Sequence, residues 1–260
     1  MPYKANSASS PDAALRATIL ALALVAWCAL WMLSRSPSGH LFLHGSAHVH
    51  LAAERPAWFV ATFVCGWTLM TLAMMLPTSL PLMRMFHRMV RGRASAPRLV
   101  GILVVGYLFV WVLCGVLLFA MNALLHAGLS LLPSLTAIPW IATATILAIA
   151  GLYQFSPLKY ACLDKCRSPM SFLMGRWRGG NESLQALRIG TEHGLFCVGC
   201  CWSLMLLMFV VSSASLPWML VLGVVMAVEK NVSWGRRLSV PIGALLLVAS
   251  LAVVIVGTRA

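Results

Sequence analysis

Five of the eight cysteines form two short clusters, and they are the residues best suited to chemistry. Cys162 and Cys166 are four positions apart, while Cys197, Cys200 and Cys201 follow the spacing i, i+3 and i+4. Residues three or four apart share one face of a helix, so each cluster converges on one point if its segment is helical. The clusters therefore predict a site of two to four sulfur ligands for a soft metal ion, or a redox-active group of thiols.

Methionine and histidine residues extend this set of ligands. Met205 continues the face of the second cluster, and His193 precedes that cluster by four positions. Met74 and Met75 lie just before Pro77, which ends or kinks a helix and turns them toward a bundle interior. Cysteine with methionine favours Cu(I), whereas thiolates with imidazole also suit Zn(II). We therefore predict copper, with zinc as the alternative. For the methionines, core packing is the favoured explanation and metal ligation the competing one.

A second group of potential ligands consists of four histidines within eleven residues. A short histidine-rich tract can collect Cu(II), Zn(II) or Ni(II), and a solvated loop with incidental histidines is the competing interpretation. The four residues are His40, His44, His48 and His50.

Composition indicates what kind of scaffold holds these residues. The chain has 260 residues, of which 61% are hydrophobic and 10% charged, and its mean hydropathy is +0.90. Soluble domains carry about 25% charged residues, so we predict an all-α polytopic transmembrane bundle. About seven apolar stretches are long enough to be membrane-spanning helices. They lie near 17–33, 57–76, 99–125, 138–155, 194–212, 215–230 and 239–257.

The distribution of basic residues predicts the orientation of this bundle. Sixteen of the 19 lysines and arginines fall in the N-terminal segment and in the second, fourth and sixth connections. This is the positive-inside pattern, so we expect a cytoplasmic N-terminus and an external C-terminus. The net charge of +13 then needs no nucleic-acid partner. Glu229 and Lys230, adjacent at the end of the sixth stretch, are expected to form a local ion pair or to extend their charged ends to the membrane interface.

The orientation assigns a compartment to each segment. Residues 1–16 are predicted to be a disordered cytoplasmic tail, and 17–257 a single transmembrane domain. Within it, 34–56 is the external histidine-rich loop and 156–193 a cysteine-containing cytoplasmic loop. The cytoplasm is reducing, so both cysteine clusters are expected to stay reduced rather than form structural disulfides.

Several motifs together resemble a bacterial family of predicted metal-binding integral membrane proteins of unknown function, also labelled copper-chaperone-like. The resemblance covers roughly residues 57–257 and implies metal binding. The residues that carry it are Ala73 to Thr78 with Pro81, Gly151 to Gln154, Pro157 to Lys159, Cys162, Cys166, Arg167, Pro169, Gly194, Cys197, Gly199 to Trp202, Leu204, Met205, Glu229 and Lys230.

These observations predict a bacterial inner-membrane protein that binds, delivers or transports a soft metal, foremost copper(I). Its expected partners are the lipid bilayer and a soluble metal donor or acceptor protein. No catalytic motif is found, so we expect a binding protein rather than an enzyme. The alternative is a membrane thiol-disulfide oxidoreductase, and a weaker one is a structural subunit of a membrane complex.

Overall fold

The computed structural model describes residues 11–36, 56–130, 139–177, 180–210 and 216–259, and within these ranges the chain forms helices and no strands. The all-α prediction is confirmed for this part of the chain. The helices are α1 Pro11–Arg35, α2 Pro56–Met74, α3 Leu80–Val90, α4 Ala96–Ser130, α5 Pro139–Tyr153, α6 Pro157–Arg167, α7 Pro169–Met174, α8 Glu182–Val210, α9 Leu216–Asn231 and α10 Ser239–Gly257. Two short 3-10 segments, Pro77–Ser79 and Gly235–Leu238, precede α3 and α10.

Proline residues define where several of these helices begin. A proline in the first turn gives up no intrahelical hydrogen bond, and its fixed φ suits the helix. The first residues of five helices are Pro11, Pro56, Pro139, Pro157 and Pro169. Ser156 caps α6, because its side-chain oxygen accepts a hydrogen bond from the backbone N–H of Leu158 at 3.1 Å.

Four helices are individually long and apolar enough to cross a membrane, and two bent pairs raise the number to six. The four are α1, α4, α8 and α10, while α2 is bent by 44° against the segment Pro77–Val90 and α5 by 62° against α6. The remaining predicted stretch, 215–230, corresponds to α9. Its 16 residues reach only about 24 Å against a hydrocarbon core of about 30 Å.

Helix α8 lies at the centre of the bundle. In its apolar stretch 56% of the residues are buried, against 17% to 33% in the other three long apolar helices. It packs against α4, α6, α5 and α9. The approach to α4 is close at Gly190 and Gly194: a Cβ at Gly190 would stand 2.1 Å from the carbonyl oxygen of Leu103. Small residues four apart are a common way to bring two membrane helices together.

Two predicted boundaries differ from the structure. The segment 156–193, expected as a loop, is mostly helical, because it contains α6, α7 and the first twelve residues of α8. The prolines that start α6 and α7 explain this, since each permits a new helix immediately after a bend. The predicted tail 1–16 is helical from Pro11 onward, and its first ten residues lie outside the described ranges, as do His40, His44, His48 and His50.

Candidate soft-metal site

One face of α8 carries most of the predicted ligands. His193, Cys197, Cys200 and Cys201 recur at spacings of three and four and are all buried. This spacing places them on a single stripe of the helix. Because α8 is the central helix, the stripe faces the bundle interior. The segment that carries Cys197, Cys200 and Cys201 is therefore helical, as their convergence on one face requires.

The break after α2 brings Met75 to this stripe. The backbone N–H groups of Met75 and Leu76 both donate to the carbonyl of Thr71, at 2.8 and 3.1 Å, as the helix ends before Pro77. The carbonyl of Met75 accepts hydrogen bonds from the hydroxyls of Thr78 and Tyr107, at 2.8 and 3.3 Å. These bonds hold the backbone of Met75, and its Sδ lies 3.9 Å from the Sγ of Cys201.

Lys230 of α9 also lies close to these sulfur atoms. Its Nζ lies 3.0 Å from the Sγ of Cys197, 3.7 Å from the Sγ of Cys201 and 3.7 Å from the Sδ of Met75. We call the three sulfur atoms of Cys197, Cys201 and Met75 the sulfur triad. The Tyr107 hydroxyl, 3.2 Å from Cys197 Sγ, borders the triad on α4.

The sulfur triad has the composition of a three-coordinate soft-metal site, and the distance between two of its sulfur atoms suits such a site. Two thiolates and one thioether are ligands that favour Cu(I). Metal–sulfur bonds of about 2.3 Å at 120° would put two sulfur atoms about 4 Å apart. The 3.9 Å between Cys201 Sγ and Met75 Sδ matches that separation. The residues present therefore fit a soft metal ion.

A second sulfur group lies between α6 and α8. The Sγ atoms of Cys166 and Cys200 are 3.9 Å apart, and Cys166 is only half-buried. We call these two residues the thiol pair. Cys162, one turn earlier on α6, is buried against α8: a Cβ at Gly199 would stand 2.6 Å from its Sγ. All eight cysteines are free thiols.

Two of the five clustered cysteines belong to the sulfur triad and two to the thiol pair, while Cys162 packs against Gly199. In the described part of the chain, no three side chains of His, Cys, Asp or Glu come close enough to share a metal ion. Among the residues that the structure describes, a three-ligand site next to Cys197 and Cys201 needs the thioether of Met75. The predicted site of two to four sulfur ligands stays a prediction, and the sulfur triad is the three-sulfur arrangement that the geometry offers for it.

Three other predicted ligands lie outside the sulfur triad. Met74 packs against Gly223 of α9, and Met205 is buried on α8 one turn beyond the triad. The Nε2 of His193 lies 3.2 Å from the hydroxyl oxygen of Ser79, and its ring stacks on Tyr107 with centroids 5.8 Å apart. Its buried Nδ1 has no hydrogen-bond partner among the described residues.

The expected local ion pair between Glu229 and Lys230 is wrong. Consecutive residues of a helix do not face each other, so the two side chains leave α9 in different directions. Glu229 accepts from the Nζ of Lys159 at 2.7 Å and from the hydroxyl of Ser239 at 2.8 Å. The Lys159 ammonium also donates to the side chain of Gln154. This ion pair is almost completely buried.

Lys230 and Tyr107 are the two residues of this site that sequence reasoning did not assign. The sequence alone could have identified Lys230, because an ionisable residue within an apolar helix commonly marks a functional site. Tyr107 gave no comparable signal, since a tyrosine in an apolar helix is ordinary. Only the fold reveals that it lies beside Cys197.

Comparison with known proteins identifies one matching family. The model of the family PpoB2, described as copper chaperone, matches residues 64–253, which is more than half of the chain. The match includes both sulfur groups and Lys230. No curated protein and no solved structure matches this chain. The family resemblance inferred from the sequence motifs is confirmed.

Proposed function

Because the chain belongs to the PpoB2 family, described as copper chaperone, we propose that it is an integral membrane protein that binds copper(I) and passes it on. Copper is its cargo, and the sulfur triad is the binding site. The observation that carries this proposal is the meeting of Cys197, Cys201 and Met75, from two separate helical regions, around one buried point. Two thiolates with a thioether select soft ions.

The membrane location is supported by the apolar helices and by the distribution of charge. Four to six helical units meet the length and composition of membrane spans, and crossing by α9 would make seven. Sixteen of the 19 basic residues fall on one side of the seven-span arrangement. In a bacterial inner membrane this orientation keeps the N-terminus and the thiol pair at the cytoplasmic face.

The thiol pair suits the release step of this function. Cys200 is on the same stripe of α8 as the triad, and Cys166 is less buried than Cys200. Cu(I) moves readily between soft ligands that can share it, so an ion leaving the triad would pass through Cys200 to Cys166. A soluble acceptor protein would receive the ion at Cys166. On the external side, the metal would be collected by His40, His44, His48 and His50.

Metal analysis of the purified full-length protein tests this function. Copper(I) added under reducing conditions should bind near one equivalent per chain at the triad and be lost in the double variant Cys197→Ser/Cys201→Ser. The matched control is Cys114→Ser, because Cys114 is half-buried on α4 and belongs to neither sulfur group. Full retention of copper by the double variant would refute the triad as the site.

One observation favours a second candidate function, thiol–disulfide exchange. The Sγ atoms of the thiol pair are 3.9 Å apart, so a shift of about 2 Å would allow a disulfide of about 2.05 Å. If this is the activity, Cys200→Ser should trap a mixed disulfide between Cys166 and a partner protein in cells. Complete alkylation of Cys166 in oxidising growth conditions would exclude it.

A further inference from the structure

We propose that Lys230 makes the sulfur triad selective for a monovalent ion over a divalent one. This inference rests on the proposed function, since it concerns the same site. The lysine would act through charge, by supplying one positive unit that completes a neutral complex. It is therefore a specificity-determining residue rather than a ligand.

The contacts of Lys230 point to the triad as its counter-charge. Its ammonium lies within 3.7 Å of all three sulfur atoms. None of the carboxylates in the described ranges forms an ion pair with it. A buried ammonium is costly unless it is paired, so the sulfur atoms must supply the compensation. Lys230 is itself 6% exposed.

The other charged groups near the site cancel or lie at its edge. Glu229 and Lys159 form a closed pair beside the triad on α9 and α6. Arg167, partly buried, donates to the backbone carbonyls of Glu229 and Ser233 rather than to a sulfur atom. The hydroxyls of Tyr107 and Ser79 contribute no charge. In the described part of the chain, Lys230 is thus the cation that directly contacts the triad.

Binding of one Cu(I) ion at the triad balances in both charge and atoms. Each of the two cysteines binds the ion as a thiolate through one metal–sulfur bond, and one that still carries its S–H proton releases it to solvent. Met75 donates a lone pair and releases no proton. Two thiolates and one ammonium sum to one negative charge. A Cu(I) ion brings that sum to zero, without oxidation or reduction. A Zn(II) ion would leave one positive charge buried, which low-dielectric surroundings penalise.

Lysine suits this role because its ammonium sits on a flexible four-carbon stem. When an ion enters between the sulfur atoms, the ammonium can retreat and still remain close enough to balance charge. Replacing it with a neutral residue would leave two thiolates alone. A divalent ion would then give the neutral complex, and a monovalent ion would leave one negative charge buried.

The test measures Cu(I) and Zn(II) affinities of the full-length protein in detergent, by competition with chromophoric chelators for each ion. The variants are Lys230→Gln and Lys230→Leu, with Lys230→Arg as the control that keeps the charge. Binding to Cys197→Ser/Cys201→Ser, measured in parallel, is subtracted as the contribution of other sites. We expect the ratio of Cu(I) to Zn(II) affinity to fall at least about tenfold in both neutral variants and to stay near wild type in Lys230→Arg.

The outcomes separate this inference from the proposed function. An unchanged or increased ratio in a folded neutral variant overturns the role of Lys230 while leaving copper binding intact. If wild type binds neither ion at the triad, the proposed function itself fails. If both neutral variants fail to fold, the wild type decides. Its Cu(I) and Zn(II) affinities are compared, and zinc-edge X-ray absorption shows whether bound Zn(II) has the triad sulfur atoms as neighbours. Zn(II) bound there as tightly as Cu(I) overturns the inference, and the absence of Zn(II) from those sulfur atoms supports it.

Discussion

Glu229 and Lys230 are consecutive residues of opposite charge, yet they stabilise different parts of the bundle. Glu229 is bound to Lys159 and Ser239, whereas Lys230 contacts only the sulfur triad among the described groups. The rotation of about 100° between successive helix residues separates them. Each charge is buried and each has its own compensation, so the two should respond differently to substitution.

Glu229→Gln should strongly destabilise the protein, because it leaves the ammonium of Lys159 buried without its carboxylate. Breaking one side of a buried ion pair costs about 3–5 kcal/mol. The matched control is Glu192→Gln, whose partners Arg176 and Arg188 are partly exposed and whose loss costs up to about 1 kcal/mol. Thermal unfolding in detergent measures both, and equal shifts for the two variants would contradict this account.

The sequence predicts which side chains can bind a soft metal better than it predicts which of them meet in the folded protein. Cys197, Cys201 and Met75 were candidates because soft side chains recur at helical spacing. Met205 met the same criterion, but it is buried one turn farther along α8 than Cys201, and it is not among the sulfur atoms that meet the ammonium of Lys230. Lys230 was not predicted because its role depends on contacts between α9, α8 and the break after α2, which spacing within one segment does not encode.

Helix α8 positions the site, and its contact with α4 depends on glycine. Gly190 and Gly194 allow the α4 backbone to lie against α8, which places Tyr107 beside Cys197. The apolar pattern located the second half of α8 but not its start at Glu182. The segment 182–193 mixes polar and apolar residues, so hydropathy alone could not distinguish a buried helix from a loop.

Gly190→Ala should separate α8 from α4, because its methyl group would collide with the backbone carbonyl of Leu103, which cannot move independently. We expect a loss of about 1–3 kcal/mol, as for other overpacked sites. Gly101→Ala is the control: in the described structure no atom lies within 4 Å of its new methyl, and alanine suits a helix better than glycine. A Gly190→Ala protein as stable as Gly101→Ala would refute the close packing.

Within the described ranges the molecule is a helical bundle whose acidic residues are paired with basic ones. Each of the five acidic residues in the described ranges forms an ion pair, and all five fall on the basic side of the predicted topology. Hydropathy predicted this class of fold and the positions of its long helices. It could not predict the bends after α2 and α5, since these depend on how the following short helices pack.

The seven-span topology predicts opposite locations for two reporters. A reporter fused after Ala260 should be active only outside the cytoplasm, and one inserted at Gly92, between Arg91 and Arg93, only inside it. The reason is the concentration of basic residues in alternate connections. Cytoplasmic activity of the reporter after Ala260 would mean that α9, which is shorter than the membrane core, does not cross.

The central claim is that copper(I) binds to Cys197, Cys201 and Met75, and copper-edge X-ray absorption of the loaded full-length protein tests it most directly. We predict three sulfur neighbours at about 2.3 Å in wild type and two in Met75→Leu. Met205→Leu, which removes a buried thioether on the same helix, should keep all three. Nitrogen or oxygen neighbours in wild type, or three sulfur neighbours retained in Met75→Leu, would contradict the proposed site.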